Sequence, residues 1–522
     1  MIHHTFLAVV FTGLAGVARA DIRLPAVISN HMVIQSGVQA PVWGWASPGE
    51  RVTVTLAGQA QTTSADDNGK WRVNLDKLKP RNEPQTLSIT GHNAIQVQDV
   101  LVGEVWLASG QSNMEMQVRG RMHGSVDHAE EEIAQADHPR LRMFLPASPY
   151  AIYEVPEPPA APLADRAGAW QICSPETVEN FSACGYFFAR ELQQTLKQPV
   201  GVILAAVGGT PIEAWASLEA QQSIAEFKPL LADWQKRLTG FDAQRESDAF
   251  LAAKKDWLKQ RSAAVKAGMP SSKAPLPFKN TGVMRPGGLF NGVIAPLIPY
   301  AVRGVIWYQG ERNAAGPFTS LYGKQLAVLI GDWRKRWQDE DLYFAWVQLP
   351  RFQKEQVEPS EPKGWGVSVR DGMLQALAIP HTGMAITIDF GGVKDGHPTN
   401  KADYAHRLAL LALHDVYHQP LGEWSGPLFR SVRRDGGKMI LSFDHAAGLK
   451  PFSGEPQGFA VAGEDRKFAW ATAEIVNNEV VLSAPGIANP AAVRYAWAGN
   501  PRCNLVNAAG LPASPFRTDD WN

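Results

Sequence analysis

The sequence comprises 522 residues, of which 45% are hydrophobic and 19% are charged, as is typical of a large globular protein with about three domains. Lysine and arginine number 50 against 51 aspartate and glutamate, so the net charge at pH 7 is −1. This balance argues against a nucleic-acid partner and against binding to an anionic membrane. The 17 tryptophans point modestly towards a carbohydrate ligand, because exposed indole rings stack on sugars.

The first twenty residues have the pattern of a secretory signal peptide. The apolar run LAVVFTGLAGVA is followed by the cleavage pattern Ala18-Arg19-Ala20. We therefore expect cleavage near Ala20 and an exported protein, periplasmic or secreted. No later run is long and apolar enough to span a bilayer, and no cysteine follows the apolar run to carry a lipid, so no membrane anchor is expected.

Three cysteines are too few for a disulfide scaffold. Cys173 and Cys184 are close enough in sequence to pair in an oxidising compartment, which would leave Cys503 alone. Three buried thiols are an equally good interpretation, and the sequence leaves both open.

Two different sequence patterns follow each other along the chain. Residues 21–100 contain short, partly alternating segments such as RVTVTL and LSIT, separated by turn-forming mixtures such as ADDNGK, and so indicate a β-rich domain. From residue 101 to residue 426, apolar strand candidates alternate with helical patterns. Strands that are apolar throughout, with helices between them, indicate a parallel sheet covered on both faces, which is a three-layer α/β/α core.

Two further segments complete the organisation. Residues of about 220–280 have a charged, helical pattern and are interpreted as an insertion into the core. Residues 427–522 are again β-rich. This segment could pack with the N-terminal one or stand apart, and the sequence does not decide between these arrangements. The predicted divisions are therefore a signal peptide (1–20), an N-terminal β-rich domain (21–100), the core (101–426) and a C-terminal β-rich segment (427–522).

The stretch LASGQSNMEM, residues 107–116, offers two roles for Ser112. Ser112 and Glu115 have the spacing of a capping box, in which each side chain satisfies an N–H group at the start of a helix. The same serine follows an apolar strand candidate, where a nucleophile could be presented at the start of a helix, and a small Gly110 would let a substrate approach. Whether Ser112 is a nucleophile depends on which residues follow the other predicted strands.

Three later strand ends carry loops with chemically useful residues. Gly208-Gly209 follows GVILAAV, Asn313 follows GVIWYQG, and Asp395-Gly396-His397-Pro398 follows AITIDFGG. Ligand sites in parallel sheets lie at the carboxyl ends of strands, so these loops should converge on Ser112. Together they supply a nucleophile, N–H donors and a histidine near a carboxylate, which are the parts of an acyl-transfer site.

The order and content of these motifs resemble those of the SGNH hydrolases, and more closely those of the sialate O-acetylesterase family. The matching blocks are GQSNM, the Gly208-Gly209 pair, WYQGERN, and DGHP followed by Asn400 and Lys401. The likeness runs from VWGWASPGE to GLPASPFRTDDW, and so covers most of the mature chain. It implies an SGNH-type core with β-rich, sandwich-like flanks, an O-acetylesterase activity on sugars, and no cofactor.

The resemblance also implies roles for individual residues. Ser112 would attack the acetyl carbonyl, His397 would act as general base and then general acid, and Asp395 would orient the imidazole. Asp389 and Glu311 are reserve candidates for that acid. The oxyanion hole would consist of Ser112, Gly208 or Gly209, and Asn313. The residues expected to bind the substrate or order its pocket are Gln111, Gln309, Glu311 and Arg312.

Several alternatives need weighing. His414 and His418 share a helical face like the two histidines of a zinc-binding HExxH motif, but no third ligand is evident, so no metal is predicted. A glycan-binding protein with little activity would not need Ser112 and His397. A lipase or thioesterase should have an apolar lid, and the charged insertion at 220–280 does not resemble one.

The sequence leaves the identity of the acetylated glycan undecided. The resemblance points to O-acetylated sialic acid, whose carboxylate would want a basic pocket, and Arg312 or Arg370 could supply it. An acetyl xylan or xyloglucan esterase of the same fold is the alternative. The sequence does not indicate an oligomeric state.

Overall fold

The computed structural model describes residues 21–120, 124–146, 162–266 and 284–521. The predicted signal peptide at 1–20 and the last part of the predicted insertion, residues 267–280, lie outside these ranges. None of the helices in the described ranges has both the length and the apolar character needed to cross a membrane.

The N-terminal region is a β structure, as predicted. Its strand β3 alternates between exposed and buried residues, as expected of a half-buried strand, and pairs with β4 and β6 in antiparallel fashion. Strands β2 and β5 form a second antiparallel pair. The strands are β1 (Val33–Gln35), β2 (Ala40–Trp45), β3 (Arg51–Leu56), β4 (Gln59–Ser64), β5 (Lys70–Leu75) and β6 (Arg81–Thr90).

A seven-stranded sheet forms the core. Its order is β14-β12-β11-β7-β10-β8-β9, and every neighbouring pair is parallel except β8 with β9, so the predicted parallel sheet carries one antiparallel edge strand. The strands from β7 onwards are β7 (Ala94–Gly110), β8 (His138–Pro146), β9 (Gly168–Cys173), β10 (Val200–Ala206), β11 (Gly304–Tyr308), β12 (Tyr343–Val347), β13 (Arg351–Phe352), β14 (Thr382–Ala385) and β15 (Gly391–Gly392).

Strand β7 belongs to both the N-terminal region and the core. Its residues alternate in exposure up to Asp99, and all residues from Val100 to Gly110 are buried. Residues 94–103 pair with β6 and β1, and residues 104–110 pair with β10 and β11. The boundary predicted at residue 100 therefore marks a change of burial within one continuous strand.

Helices cover both faces of the core sheet. Val105 and Leu107 of β7 belong to one hydrophobic cluster, and Trp106 and Ala108 belong to the other, because successive side chains of a strand point to opposite faces. The principal helices are α1 (Ser112–Glu115), α2 (Ala129–Ala134), α3 (Pro175–Val178), α4 (Ala183–Leu196), α5 (Leu218–Gln222), α6 (Lys228–Leu238), α7 (Ala243–Lys266), α8 (Glu311–Ala314), α9 (Tyr322–Trp337), α10 (Val367–Gln375) and α11 (Lys401–Asp415).

These clusters confirm the predicted three-layer α/β/α core. Helices α4 and α11 pack on the Trp106 face, whereas α9 and α10 pack on the Leu107 face together with the N-terminal region. Helices α5 to α7 lie within the predicted insertion. Short helical turns complete the structure: Ile212–Ala214, Ala225–Phe227, Phe290–Ile294, Ala295–Leu297, Thr319–Leu321 and Ala376–Ala378.

The C-terminal region has a core of its own. It contains two four-stranded sheets, β16-β17-β22-β21 and β20-β19-β23-β25, whose apolar residues form a third cluster around Leu441, Val461 and Phe516. Among the described residues, none of its strands pairs with a strand of the N-terminal region. The strands are β16 (Leu428–Asp435), β17 (Lys438–Asp444), β18 (Lys450–Pro451), β19 (Phe459–Ala462), β20 (Phe468–Trp470), β21 (Thr472–Val476), β22 (Glu479–Ser483), β23 (Ala492–Tyr495), β24 (Leu505–Val506) and β25 (Phe516–Arg517).

The three cysteines are free thiols, so the structure contains no bond between Cys173 and Cys184. Both residues are buried in the Trp106-face cluster, and burial raises the pKa of each thiol to about 12. Cys173 and Cys184 are therefore buried thiols, as the second interpretation expected, whereas Cys503 is only partly buried.

Candidate active site

The central strand β7 delivers Ser112 to the carboxyl end of the sheet. Its last residue, Gly110, has a φ of +140°, and a Cβ atom built on it would lie 2.1 Å from the carbonyl oxygen of Tyr308. The next residue, Gln111, donates its backbone N–H to the same carbonyl at 2.9 Å. Gly110 is therefore required by the close approach of β11, and not by a substrate as the sequence suggested.

The capping-box interpretation is wrong. Ser112 is the first residue of α1, the N-cap position is held by Gln111, and no side chain caps the helix. The Glu115 carboxylate reaches across to the glycine loop, where its Oε2 accepts the backbone N–H of Gly208 at 2.7 Å. Burial raises the pKa of Glu115 to about 7, while the Gly208 N–H and Arg166 act in the opposite direction.

Ser112 and His397 are in direct contact. The Nε2 atom of His397 lies 2.9 Å from the Oγ atom of Ser112, although the two residues are 285 positions apart in the chain. Ser112 is buried and His397 is half-buried. An imidazole nitrogen at this distance from a hydroxyl can accept its proton, which is what activation of a serine nucleophile requires.

The structure places the three candidate acids in different surroundings. Asp395 lies on the loop of His397, two residues before it, with an exposed side chain. Asp389 is held by both terminal nitrogens of Arg407, each at 2.7 Å. Glu311 accepts a hydrogen bond from the Asn113 amide at 2.5 Å. The two reserve acids are therefore engaged with other partners.

The two glycines of the proposed oxyanion hole are not equivalent. The N–H of Gly208 already donates to Glu115. A Cβ atom on Gly208 would lie 3.3 Å from that of Ser112, so this loop lies directly beside the serine. Gly209 is exposed and has a φ of +72°, which favours glycine.

The Asn313 amide is held in a fixed orientation. Its Oδ1 atom accepts hydrogen bonds from the Ile212 N–H at 2.9 Å and from Gln309 at 2.8 Å. Its Nδ2 atom donates to Glu213 at 3.0 Å. Because an amide nitrogen carries two N–H groups, donation to Glu213 leaves a second N–H available for a ligand.

Gln111 and Gln309 order the loops instead of lining the pocket. Both are buried, and the Gln309 amide donates to Gln111 at 3.1 Å and to the Thr210 carbonyl at 3.0 Å. Gln111 also accepts the Arg312 N–H at 3.2 Å. These bonds tie together the loops that follow β7, β10 and β11.

A cavity of about 180 Å³ adjoins Asn313. Arg312 lies at this cavity and is exposed. Helix α6 contributes one wall, so the predicted insertion reaches the site. The aromatic and charged residues around the cavity are Glu213, Asp233, Trp234, Arg237, Arg312 and Phe318.

Arg370, the other arginine considered for a substrate carboxylate, cannot serve. It is only 1% exposed, and its guanidinium donates to the carbonyl groups of Pro350, Ala498 and Gly499. Burial lowers its pKa to about 10. Arg370 therefore links the core to the C-terminal region.

Two buried side chains to which the sequence gave no role, Asn113 and Lys401, contact the loop of His397. Asn113 is 1% exposed and Lys401 is fully buried. A signal was available, because a lysine in the first turn of a helix opposes the helix dipole and needs some other stabilising partner.

His414, in the last turn of α11, is engaged with neighbouring side chains. The His414 ring stacks on Trp424 with centroids 3.3 Å apart, and its Nδ1 lies 2.7 Å from an oxygen of Asp415. Within the described ranges, no group of three histidine, cysteine or acidic side chains could hold a metal ion.

Comparison with known proteins identifies the class. The family described as "Carbohydrate esterase, sialic acid-specific acetylesterase" matches residues 102–251 and 293–402. A carbohydrate acetylesterase from Xanthomonas citri has a solved structure that is 33% identical, with a TM-score of 0.78 over 96% of this chain and 100% of that one. Sialate O-acetylesterases from Homo sapiens and Pongo abelii are each 28% identical, over 95% of this chain and 92% of theirs.

The protein is thus an esterase built on an SGNH-type α/β/α core. It belongs to the family of sialic acid-specific carbohydrate acetylesterases. The resemblance inferred from GQSNM, WYQGERN and DGHP is confirmed.

Proposed function

We propose that this esterase removes O-acetyl groups from sialic acid through an acyl-enzyme formed on Ser112. The observation that supports the proposal most directly is the 2.9 Å separation between Ser112 Oγ and His397 Nε2 at the carboxyl end of the sheet. The family membership agrees with it, because the matched segments contain both residues.

The chemistry takes two half-reactions. His397 accepts the Ser112 proton as Oγ attacks the acetyl carbonyl, and it then gives that proton to the sugar oxygen as the C–O bond breaks. Water next attacks the acetyl-serine while His397 takes its proton, and that proton passes to Ser112 Oγ as the bond between Oγ and the acetyl carbon breaks and acetate leaves. Asp395, two residues away, stabilises the charged imidazolium and holds the ring.

Three donors stabilise the negative oxygen of the tetrahedral intermediates. They are the backbone N–H of Ser112 at the start of α1, the second amide N–H of Asn313, and a glycine N–H. Gly209 is the better glycine candidate, because the Gly208 N–H is bonded to Glu115. Donors fixed before the reaction need no reorganisation when the charge develops, and Asn313 is fixed by its bonds to Ile212, Gln309 and Glu213.

The sugar would occupy the cavity beside Asn313. Arg312 is exposed there, and Arg237, which lines the cavity from helix α6, is already paired with Asp233 at 2.6 Å. Arg312 is therefore the candidate partner for the carboxylate of sialic acid. Trp234 and Phe318 supply apolar surface for the ring.

Ser112→Ala tests the proposal. We expect acetate release from O-acetylated sialic acid and from p-nitrophenyl acetate to fall by at least about 10⁴-fold. Ser125→Ala changes an exposed serine and should leave the rate unchanged. Wild-type-like activity in Ser112→Ala would refute the role of Ser112.

Asn313→Ala should have an intermediate effect. Loss of one oxyanion donor lowers kcat by about 100- to 1000-fold, so weak activity should remain where Ser112→Ala has almost none. Equal, mild losses in the two variants would contradict the assignment. Acetylated xylo-oligosaccharides assayed beside acetylated sialic acids would show whether a neutral glycan is the better substrate.

Export is proposed from the amino-terminal pattern LAVVFTGLAGVARA. Amino-terminal sequencing of the protein recovered outside the cytoplasm should start at Asp21. Recovery of a chain that still begins with Met1 would contradict this.

A further inference from the structure

The segments that carry Ser112 and His397 are joined by more than the contact between the two side chains. Asn113 follows Ser112 directly, and its Nδ2 donates to the carbonyl of Gly396 at 3.1 Å. Lys401 starts helix α11, and its Nζ donates to the carbonyl of Pro398 at 2.6 Å. The carbonyl groups of the two residues that flank His397, Gly396 and Pro398, are thus held by side chains.

The two side chains also hold each other. Lys401 Nζ donates to Asn113 Oδ1 at 2.8 Å. The second acceptor of the Asn113 amide is Glu311 Oε1 at 2.5 Å, and the other carboxyl oxygen of Glu311 is buried. A continuous path therefore runs from the residue beside Ser112, through Lys401, to the residue beside His397.

We propose, on the basis of the catalytic roles proposed above for Ser112 and His397, that Lys401 and Asn113 are positioning residues that set the approach of His397 to Ser112. Neither needs to touch the substrate. The pair is called the Lys401–Asn113 bridge below.

Burial supports a specific role for the ammonium. Lys401 is fully buried, and its Nζ lies 5.1 Å from the ring centre of Tyr404 and 5.5 Å from that of Tyr308. Burying an ammonium group is costly unless it is hydrogen-bonded, and the oxygens of Asn113 and Pro398 supply those hydrogen bonds. A lysine retained at such a position is therefore better explained by what it holds in place than by stability alone.

The geometry also explains why the bridge matters for rate. The His397 loop has little regular structure, since β15 before it has two residues and α11 begins only at Lys401. Proton transfer requires the 2.9 Å separation to be maintained. A displacement of about 1 Å in a catalytic group costs roughly 100-fold in rate.

The test compares Lys401→Met with Asn400→Ala. Lys401→Met leaves an unbranched side chain that is one atom shorter and removes the N–H donors. We expect kcat on p-nitrophenyl acetate to fall by about 100-fold, with KM within about twofold of wild type. The Oδ1 atom of Asn400 caps the same helix by accepting the Asp403 N–H. Asn400→Ala removes this cap and should lower Tm while leaving kcat unchanged.

A second variant tests the bridge as a unit. Asn113→Leu should also lower kcat with little change in KM, and the double variant should lose no more than the larger single loss, because either change breaks the same path. Lys401→Arg keeps a cation with donors and should recover part of the activity. If Lys401→Met fails to fold, Asn113→Leu decides the question by itself.

Three outcomes would overturn the bridge. The first is a wild-type kcat in folded Lys401→Met or Asn113→Leu. The second is a loss of kcat in the double variant that equals the product of the two single losses. The third is a loss of kcat that follows the loss of Tm in the same way in Lys401→Met and Asn400→Ala. Ser112→Ala is assayed in parallel. Activity in Ser112→Ala refutes the proposed function, whereas an inactive Ser112→Ala with a fully active Lys401→Met refutes only the bridge.

Discussion

Ser112 and His397 are held in place by different regions of the molecule. Ser112 follows β7, a continuous strand whose buried residues on the Leu107 face share one hydrophobic cluster with the N-terminal region. The loop of His397 lies near Phe352, whose N–H donates to the carbonyl of Gly499 in the C-terminal region at 3.1 Å. The position of Ser112 thus depends on regular sheet pairing, whereas the position of His397 depends on loops and polar contacts.

The difference suggests that substitutions on the serine side should be tolerated poorly and those on the histidine side more readily. Close backbone packing surrounds the end of β7, as Gly110 shows. The C-terminal region has its own hydrophobic cluster and contacts the core through individual side chains such as Arg370. Four substitutions probe this contrast.

Gly110→Ala should have the largest effect. A Cβ atom at this position would lie 2.1 Å from the Tyr308 carbonyl oxygen, so the strand end must move by about 1 Å or more, and Ser112 moves with it. We expect kcat to fall by at least about 100-fold and the free energy of unfolding to fall by more than about 4 kcal/mol. Acetate release and urea unfolding measure the two effects. A stable, active variant would show that the serine side can adapt.

Glu115→Gln should change how stability depends on pH. Burial raises the pKa of Glu115 from 4.5 to about 7 in the folded protein, so the folded state keeps a proton that the unfolded chain releases. Stability should therefore fall as the pH rises from about 4.5 through about 7, by about 3 kcal/mol. The glutamine cannot ionise, so its stability relative to wild type should increase by that amount over this range. Parallel urea-unfolding profiles for the two proteins would contradict this.

Arg370→Met should loosen the C-terminal region. It removes the hydrogen bonds to the carbonyls of Pro350, Ala498 and Gly499 and leaves these groups buried, at a cost of about 2 kcal/mol in the free energy of unfolding. Arg430→Met, which removes an exposed ion pair with Asp444, should cost less than about 0.5 kcal/mol. If urea unfolding showed equal losses in the free energy of unfolding for the two variants, the proposed structural role of Arg370 would be contradicted.

Gly396→Ala should have the smallest effect, although Gly396 directly precedes His397. Its φ lies outside the left-handed region, and the nearest atom to an added Cβ is a Phe352 ring carbon at 3.7 Å, an ordinary contact. We expect kcat within about threefold of wild type and a stability change below about 0.5 kcal/mol. A loss comparable to that of Gly110→Ala would contradict the proposed contrast between the two sides.

The sequence predicted the strand ends of the site well. Residues such as Ser112, Asn313 and His397 lie in the segments that follow apolar strands, and the parallel sheet brings such segments to one edge. The three-layer core was predictable for the same reason, because strands buried on both faces are apolar throughout.

Long-range partners of polar side chains could not be predicted. Glu115 has capping-box spacing, yet its partner is the Gly208 N–H, 93 residues away. Lys401 is fully buried, and its side-chain partner Asn113 comes from a segment 288 residues away in the chain. Local patterns record spacing along a helix or strand, and they carry no information on which distant loop arrives beside it.

The length of β7 has a consequence for how the molecule comes apart. At about 3.3 Å per residue, its 17 residues form a rod of roughly 55 Å that carries the N-terminal sheet at one end and Ser112 at the other. The N-terminal region and the core should therefore melt together, in one cooperative transition that also abolishes activity. The C-terminal region, with its separate hydrophobic cluster, is the part that can open first and exchange its amide hydrogens sooner.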